Sequence, residues 1–484
     1  MNHHEEALFR LGKYQSRRYF LRQCMGGLGA AALGSLLTGA DFASPKQPTG
    51  PGLQPHFPPT AKSVIFLHMA GAPSQLEMFD YKPVLQQYDN QPCPESLLEG
   101  KRFAFLAGVP KMMGAQTKFA QYGQSGAWVS EYLPNLAQQV DDICFLKAMH
   151  TDEFNHAPAQ LFMHTGSPRL GRPSAGSWMV YGLGSENDNL PGFVVLTSGN
   201  TPSAGKSVWG SGFLPSVYQG VQCRSSGDPV LYLNNPDGIS ADLRKQSIDL
   251  INQINQQEYQ QVGDPEILSR ISQYELAFRM QSEVPEVMDI SEEPEWVHEM
   301  YGTHPGKISF ANNCLLARRL VEKGVRYVQL FDNAWDHHGT SEGSGVTKGL
   351  ARACGNIDQP IAALLKDLKM RGLLDETLVV WGGEFGRTPM KETRSSGADY
   401  KGRDHHSDAF TMWMAGGGVK AGYTHGQTDE LGYHGIEGRV HVHDLHATML
   451  HTMGMDHERL TYEFQGRSFR LTDVHGKVVK EILR

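Results

Sequence analysis

Short apolar runs recur along the chain at Ser63–His68, Ile143–Met149, Phe193–Thr197, Val325–Phe331, Thr377–Gly382 and Ala409–Ala415. They are apolar nearly throughout instead of alternating, which is the pattern of strands covered on both faces. Helical periodicity lies between several of them, notably at Phe310–Lys323, Ile357–Arg371 and Asp444–Met453. Strands and helices in alternation predict an α/β fold with a mostly parallel central sheet and helices on both faces. In such a sheet ligands gather beyond the carboxyl ends of the strands. The residues just after each apolar run are therefore the ones to read for chemistry.

The stretch Ser240–Met288 departs from this rhythm, being rich in Gln, Leu and Ile and almost free of glycine. It predicts a helical insertion at about 240–300 within one α/β domain over 62–484. Upstream, six prolines between Pro45 and Pro59 predict a stiff linker over 44–61. The Arg17-Arg18 pair, set in Ser-Arg-Arg-Tyr-Phe-Leu and followed by the weakly apolar Cys24–Ala40, resembles a twin-arginine export signal over 1–43. That stretch is too short and too glycine-rich for a membrane anchor. The expectation is export to the periplasm or beyond, with no stable membrane span once the signal is cleaved.

Composition narrows the chemistry. With 44 Lys+Arg against 52 Asp+Glu, nothing is basic enough to point to nucleic acid. The cysteines form no CxxC pair, so a disulfide framework is not expected. Histidine is the outlier: ten of the 21 lie between His405 and His475. As the commonest metal ligand and the near-neutral acid/base, histidine in that density points to a site.

Three segments stand just past or beside predicted strands. Asp336-His337-His338 sets a carboxylate and an imidazole two residues apart, on one side of an extended chain, as a mixed N/O metal site requires. The plainer alternative is a polar turn capped by Asp. Glu384 and Arg387 follow a pair of glycines that allow a tight turn; Glu384 fits a metal ligand and Arg387 an oxyanion fork, or the two form an ion pair. Arg403-Asp404-His405-His406 precedes the last strand. Adjacent side chains diverge, so one of His405 and His406 is expected to face a ligand. Asn155 and His156 follow Ile143–Met149 and are read as crevice residues or as turn and core residues. The cluster His441–His446 is read as structural, with Asp444 capping the helix that follows and His446 and His451 on its surface.

Taken together, Ser63–Pro83, Arg172–Leu183, Trp335–Gly339, Gly382–Pro389, Gly402–His406, Met414–Gly418 and His441–Gly454 resemble a large uncharacterised family of twin-arginine-exported bacterial proteins, of planctomycete type. That family is similar to the alkaline phosphatase and sulfatase superfamily. The resemblance implies a divalent metal (zinc, calcium or manganese) beyond the strand ends, held by Asp336, His338 and one of His405 and His406. Glu384 would stand where the superfamily places an aspartate of a second metal site. The pattern departs in three places: His68-Met-Ala-Gly71 replaces the first-strand aspartate, Phe385 replaces a histidine, and Asn155-His156-Ala-Pro stands where a nucleophile is placed.

The function expected is hydrolysis of an anionic ester, phosphate or sulfate, on a small molecule or a polysaccharide. Arg387 and Arg403 would hold the oxyanion, Asn155 would contact substrate, and His156 would act as acid/base. Removing a crevice arginine such as Arg387 should then leave folding nearly intact. The alternative is a non-catalytic, metal-stabilised binding or scaffold protein of the same fold.

Overall fold

The computed structural model describes residues 54–225, 227–230, 235, 238–395 and 400–484. The twin-arginine segment and the first part of the expected linker lie outside them. The described residues fall into two units. The larger spans 54–234 and 276–484, and the smaller lies within 235–275.

The larger unit is built on a nine-stranded sheet. In chain order its strands are β1 (Ser63–Met69), β2 (Ile143–His150), β3 (Phe193–Ser198), β4 (Val221–Cys223), β5 (Tyr327–Asp332) and β6 (Thr377–Gly382). A separate hairpin follows, of β7 (Gly386–Lys391) and β8 (Arg403–His406). The sheet resumes with β9 (Phe410–Ala415), β10 (Tyr423–His425) and β11 (Val440–His441). The spatial order is β10-β2-β9-β6-β1-β5-β3-β4, with β11 also pairing β2. Only β9 runs antiparallel to its neighbours, β2 and β6; the other pairings are parallel. The α/β class and the mostly parallel sheet read from the apolar runs are what the chain adopts.

Every residue of β1 is buried, and its alternation divides the core in two. Ile65, Leu67 and Met69 pack with α5 (Phe310–Glu322) and α6 (Lys348–Met370) on one face. Val64 and Phe66 pack with α1 (His156–Thr165), α2 (Ala175–Leu183) and α7 (Val442–Thr452) on the other. A strand covered this way keeps apolar residues at both parities, which is why the runs did not alternate in sequence.

The expected insertion contains α3 (Ala241–Val262) and α4 (Pro265–Met288), followed by a short helix at Glu295–Tyr301. In the smaller unit α3 is capped by Ser240, which accepts from Leu243 N at 3.2 Å, and ends at Gly263 with φ +74°. From Leu276 onward the chain belongs to the larger unit, where Met280, Val284 and Val287 enter the core. The described end of the expected linker is also packed: Thr60 N and Ala61 N both donate to Thr452 O at 2.9 Å, and Phe57 lies against His451. Among the described residues no helix is long and apolar enough to cross a membrane.

The helix α7 corrects one local expectation. His441 is its N-cap, and Asp444 sits three residues on, accepting His441 N at 3.0 Å as the other half of a capping box. His446 is buried rather than on the surface, with Nε2 donating to Met163 O at 2.7 Å.

Candidate metal centre

Several chain segments meet at the carboxyl edge of the sheet. The turn after β1 is stitched to the loop after β5, with Ala70 N donating to Asp332 O at 2.7 Å and Trp335 N to Ala70 O at 3.3 Å. That loop turns through Ala334, held at φ +74°, and is anchored by the buried Trp335, whose Nε1 donates to Asp332 Oδ2 at 2.9 Å. Gly71, at φ +117°, has no room for a side chain, since a Cβ would lie 2.6 Å from Asp336 N. The segments carrying His338 and His405 also touch. A Cβ on Gly402 would lie 1.9 Å from the carbonyl carbon of His338, and one on Gly339 would lie 2.5 Å from Gly402 N. Across the site α1 starts at His156, with Asn155 as an extended N-cap whose side chain makes no cap bond.

These segments bring His156, Asp336, His338 and His405 together, with one donor atom of each within 4.8 Å of all the others. Asp336 Oδ1 is 2.7 Å from His338 Nε2, 3.3 Å from His156 Nε2 and 3.5 Å from His405 Nε2. The Nε2 atoms of His338 and His405 are 3.1 Å apart. His338 and His405 are buried, while 43% of the Asp336 side chain is exposed, so the cluster opens to solvent on the Asp336 side.

Each imidazole has its far nitrogen committed. His156 Nδ1 meets Glu384 Oε1 at 2.7 Å, His405 Nδ1 meets Phe154 O at 2.7 Å, and His338 Nδ1 meets the Glu392 carboxylate. Carbonyls and carboxylates only accept, so all three Nδ1 atoms carry hydrogen. A neutral ring then turns its Nε2 lone pair toward the other two and toward Asp336. His156 Nε2 is buried and makes no hydrogen bond. Three lone pairs and a carboxylate around one point repel one another unless a cation stands among them. A tetrahedral ion with ligands at 2.0–2.2 Å has donor–donor edges of roughly 3.3–3.6 Å; of the separations above, 3.3 and 3.5 Å match these, while 3.1 and 2.7 Å are shorter and would open on binding. The donor set fits a divalent metal.

Without that cation, protons take the role. Burial disfavours charge on His156, yet the Asp336 carboxylate 3.3 Å from its Nε2 and the Glu384 carboxylate bonded to its Nδ1 overcome it and lift its pKa to about 9. His405 moves the other way, to about 4, because burial and the charges of Arg387, His156 and His338 outweigh its bond to Asp336. Burial pushes Asp336 up, but the three imidazoles and Arg387 hold it well below the usual carboxylate range.

Residues 61–483 match the family described as protein of unknown function DUF1501. The chain belongs to this family. No curated protein matches it. Among solved structures it is similar to the lipoteichoic acid synthase LtaP of Listeria monocytogenes, at 9% identity and a TM-score of 0.35, over 87% of this chain and 77% of that one. The PsFucS1 sulfatase of Pseudoalteromonas sp. gives 12% and 0.36, over 82% and 68%. The alkaline phosphatase of the Antarctic bacterium TAB5 gives 10% and 0.30, over 81% and 98%.

In this DUF1501 chain, several residues read as site residues face elsewhere. Glu384 is fully buried behind His156 and does not reach the cluster; its oxygens take Gly71 N at 3.0 Å and Gln160 Nε2 at 3.0 Å, with His68 Nε2 at 3.2 Å. His406 points away, its Nε2 donating to Tyr433 O and its ring stacked on Tyr433. Arg403 is fully buried against Glu77 at 2.6 Å and donates to Met113 O and Gly114 O, so no edge is left for an oxyanion. Arg387 is 1% exposed and committed to Ala72 O, Gly71 O, Arg403 O and Asp336 Oδ1. It holds the Asp336 loop to the turn after β1, a structural task at odds with the expectation that folding ignores it.

Other residues support the site in roles that the sequence had not assigned them. Glu392 and the Phe154 carbonyl set ring tautomers. Asp404 accepts Phe105 N at 2.7 Å and Leu106 N at 3.1 Å, and so lays the Phe105 ring edge-on to His338 and His405. A second possible grouping, His338 with Glu392 and Asp404, lies behind the first and is wholly buried. Its acids are already engaged, Asp404 by backbone N–H groups and Glu392 by His338 and Arg394.

Proposed function

We propose that this protein is an exported, metal-dependent hydrolase of anionic esters, phosphate or sulfate, on a small molecule or a polysaccharide. The observation that carries the reading is the convergence of three Nε2 atoms, each with its Nδ1 tied down, on the half-exposed Asp336. Three imidazoles and one carboxylate suit zinc or manganese better than calcium, which prefers oxygen. A divalent ion held there supplies Lewis-acid polarisation of an ester oxygen and neutralises developing negative charge.

The chain's own groups do the rest. Arg387 keeps Asp336 in place from behind. The first turn of α1 has no side chain capping it, which leaves the N–H groups of His156 and Ala157 available to an anion, and Asn155 stands exposed beside it. Phe105 packs edge-on against His338 and His405. His156 serves as a ligand here, so its part as acid/base falls away.

The scaffold reading keeps one specific support: both candidate arginines are committed to protein partners, and α1 begins His-Ala-Pro with no hydroxyl or thiol. Metal analysis of protein purified without chelator, paired with assays on phosphate and sulfate monoesters, decides between them. The hydrolase reading expects stoichiometric metal and ester turnover that disappears in His338→Ala. A metal-loaded protein inert toward every ester class leaves the scaffold.

A further inference from the structure

We propose that Glu384 is a positioning residue for the metal centre: it fixes the Nδ1–H tautomer of His156 and pins helix α1 to the sheet so that His156 Nε2 faces the ion. The proposal rests on the metal-centre reading above and assigns Glu384 a part other than ligand.

His156 is the only one of the four donors that comes from a helix; the others come from the loop after β5 and the β8 hairpin strand. Leu161, Phe162 and Met163 hold the body of α1 in the core, but its first turn, which carries His156, has no side-chain cap. Glu384 supplies the hold. Its Oε1 takes His156 Nδ1 at 2.7 Å and Gln160 Nε2 at 3.0 Å, from residues four apart on one face of α1. Gln160 is itself oriented, because its Oε1 accepts Ala204 N at 3.0 Å and so turns the amide nitrogen toward Glu384. From the sheet side, Gly71 N donates to Glu384 at 3.0 Å and His68 Nε2 stands 3.2 Å from the other oxygen. One buried carboxylate thus joins α1 to the end of β1. It touches the His156 nitrogen facing away from the ion, so it cannot also reach the ion. Carboxylates behind metal-bound imidazoles raise ligand basicity and fix ring orientation, and losing one costs 10–100-fold in metal affinity.

Cobalt(II) is the probe, with affinity read by chelator competition and geometry by its visible absorption spectrum. Glu384→Gln keeps an acceptor oxygen but removes the charge, and should weaken cobalt roughly tenfold and perturb the spectrum. Glu384→Ala removes both and should cost roughly a hundredfold. The decisive arm repeats Glu384→Gln in a His156→Ala background, where it should cost nothing further, because its route to the ion is gone. A cost that is equal with and without His156, or no cost in the parent, overturns the proposal. Should Glu384→Ala fail to fold, the Gln pair carries the test alone, with melting of the apo forms as control. If the parent binds no cobalt, or His338→Ala binds it as well as the parent does, the metal-centre reading fails first and this proposal with it.

Discussion

His338 and His405 face each other through their Nε2 atoms at 3.1 Å, and neither ring is free to turn away. Glu392 holds one from behind and the Phe154 carbonyl holds the other. Two nitrogens so fixed need a proton or a cation between them and Asp336.

Adding zinc to the apo protein should therefore raise its melting temperature. At a free concentration of about 1,000 Kd the stabilisation is about 4 kcal/mol. In His338→Ala the zinc-dependent rise should vanish, as differential scanning calorimetry with and without zinc would record. An undiminished rise in the variant would place the ion elsewhere.

Metal and proton compete at His156, whose pKa is lifted to about 9 in the metal-free protein. The sign is that of a raised group: its contribution to apo stability is full below the unfolded pKa near 6.5 and is lost as pH climbs through 9. Metal affinity should run the opposite way, strengthening between pH 6.5 and 9 and levelling above. Titrations in buffers of differing ionisation enthalpy should show proton release near pH 7.5, and a flat profile would contradict it.

Arg403 is a folding residue. Arg403→Ala strands the Glu77 carboxylate in the core, at a cost of about 3–5 kcal/mol in urea unfolding. Replacing Glu77 as well, as Glu77→Leu with Arg403→Met, should recover much of that. A variant of native stability with only a raised KM would return Arg403 to the substrate.

Gly71→Ala tests the turn. The new methyl would press on Asp336 N from 2.6 Å, in a conformation that L side chains rarely adopt. Displacing Asp336 should cut zinc affinity as well as stability, and unchanged affinity by chelator competition would show that the turn yields elsewhere.

For export, replacing Arg17 and Arg18 together by Lys should trap the precursor in the cytoplasm. Fractionation followed by immunoblotting reads it, and normal delivery of the mature form would rule out the twin-arginine route.

The sheet was legible because strands buried on both faces leave short apolar runs such as Ser63–His68 and Thr377–Gly382. Asp336 and His338 were legible too, lying just past such a run. Glu384 was misplaced because sequence reports that a carboxylate follows a strand and not which side of a neighbouring imidazole it meets. The arginines misled for a related reason. Arg387 and Arg403 donate mostly to main-chain carbonyls, acceptors that every residue carries and no sequence pattern marks. Between His405 and His406 only the register decides: His405 pairs with Arg387 and His406 with Gly386, so the two rings leave opposite faces of the hairpin.

The contact of Gly339 with Gly402 makes one mechanical part of two ligands that are far apart in the chain. His338 and His405 are held side by side by two backbones already at closest approach, which leaves no gap for an ion on that side. What remains is the half-exposed Asp336. With His156 also 20% exposed, an ion entering the centre would come from the side where Asp336 and His156 meet solvent, so loading speed should follow the freedom of the Asp336 carboxylate, whatever the tightness of the finished shell.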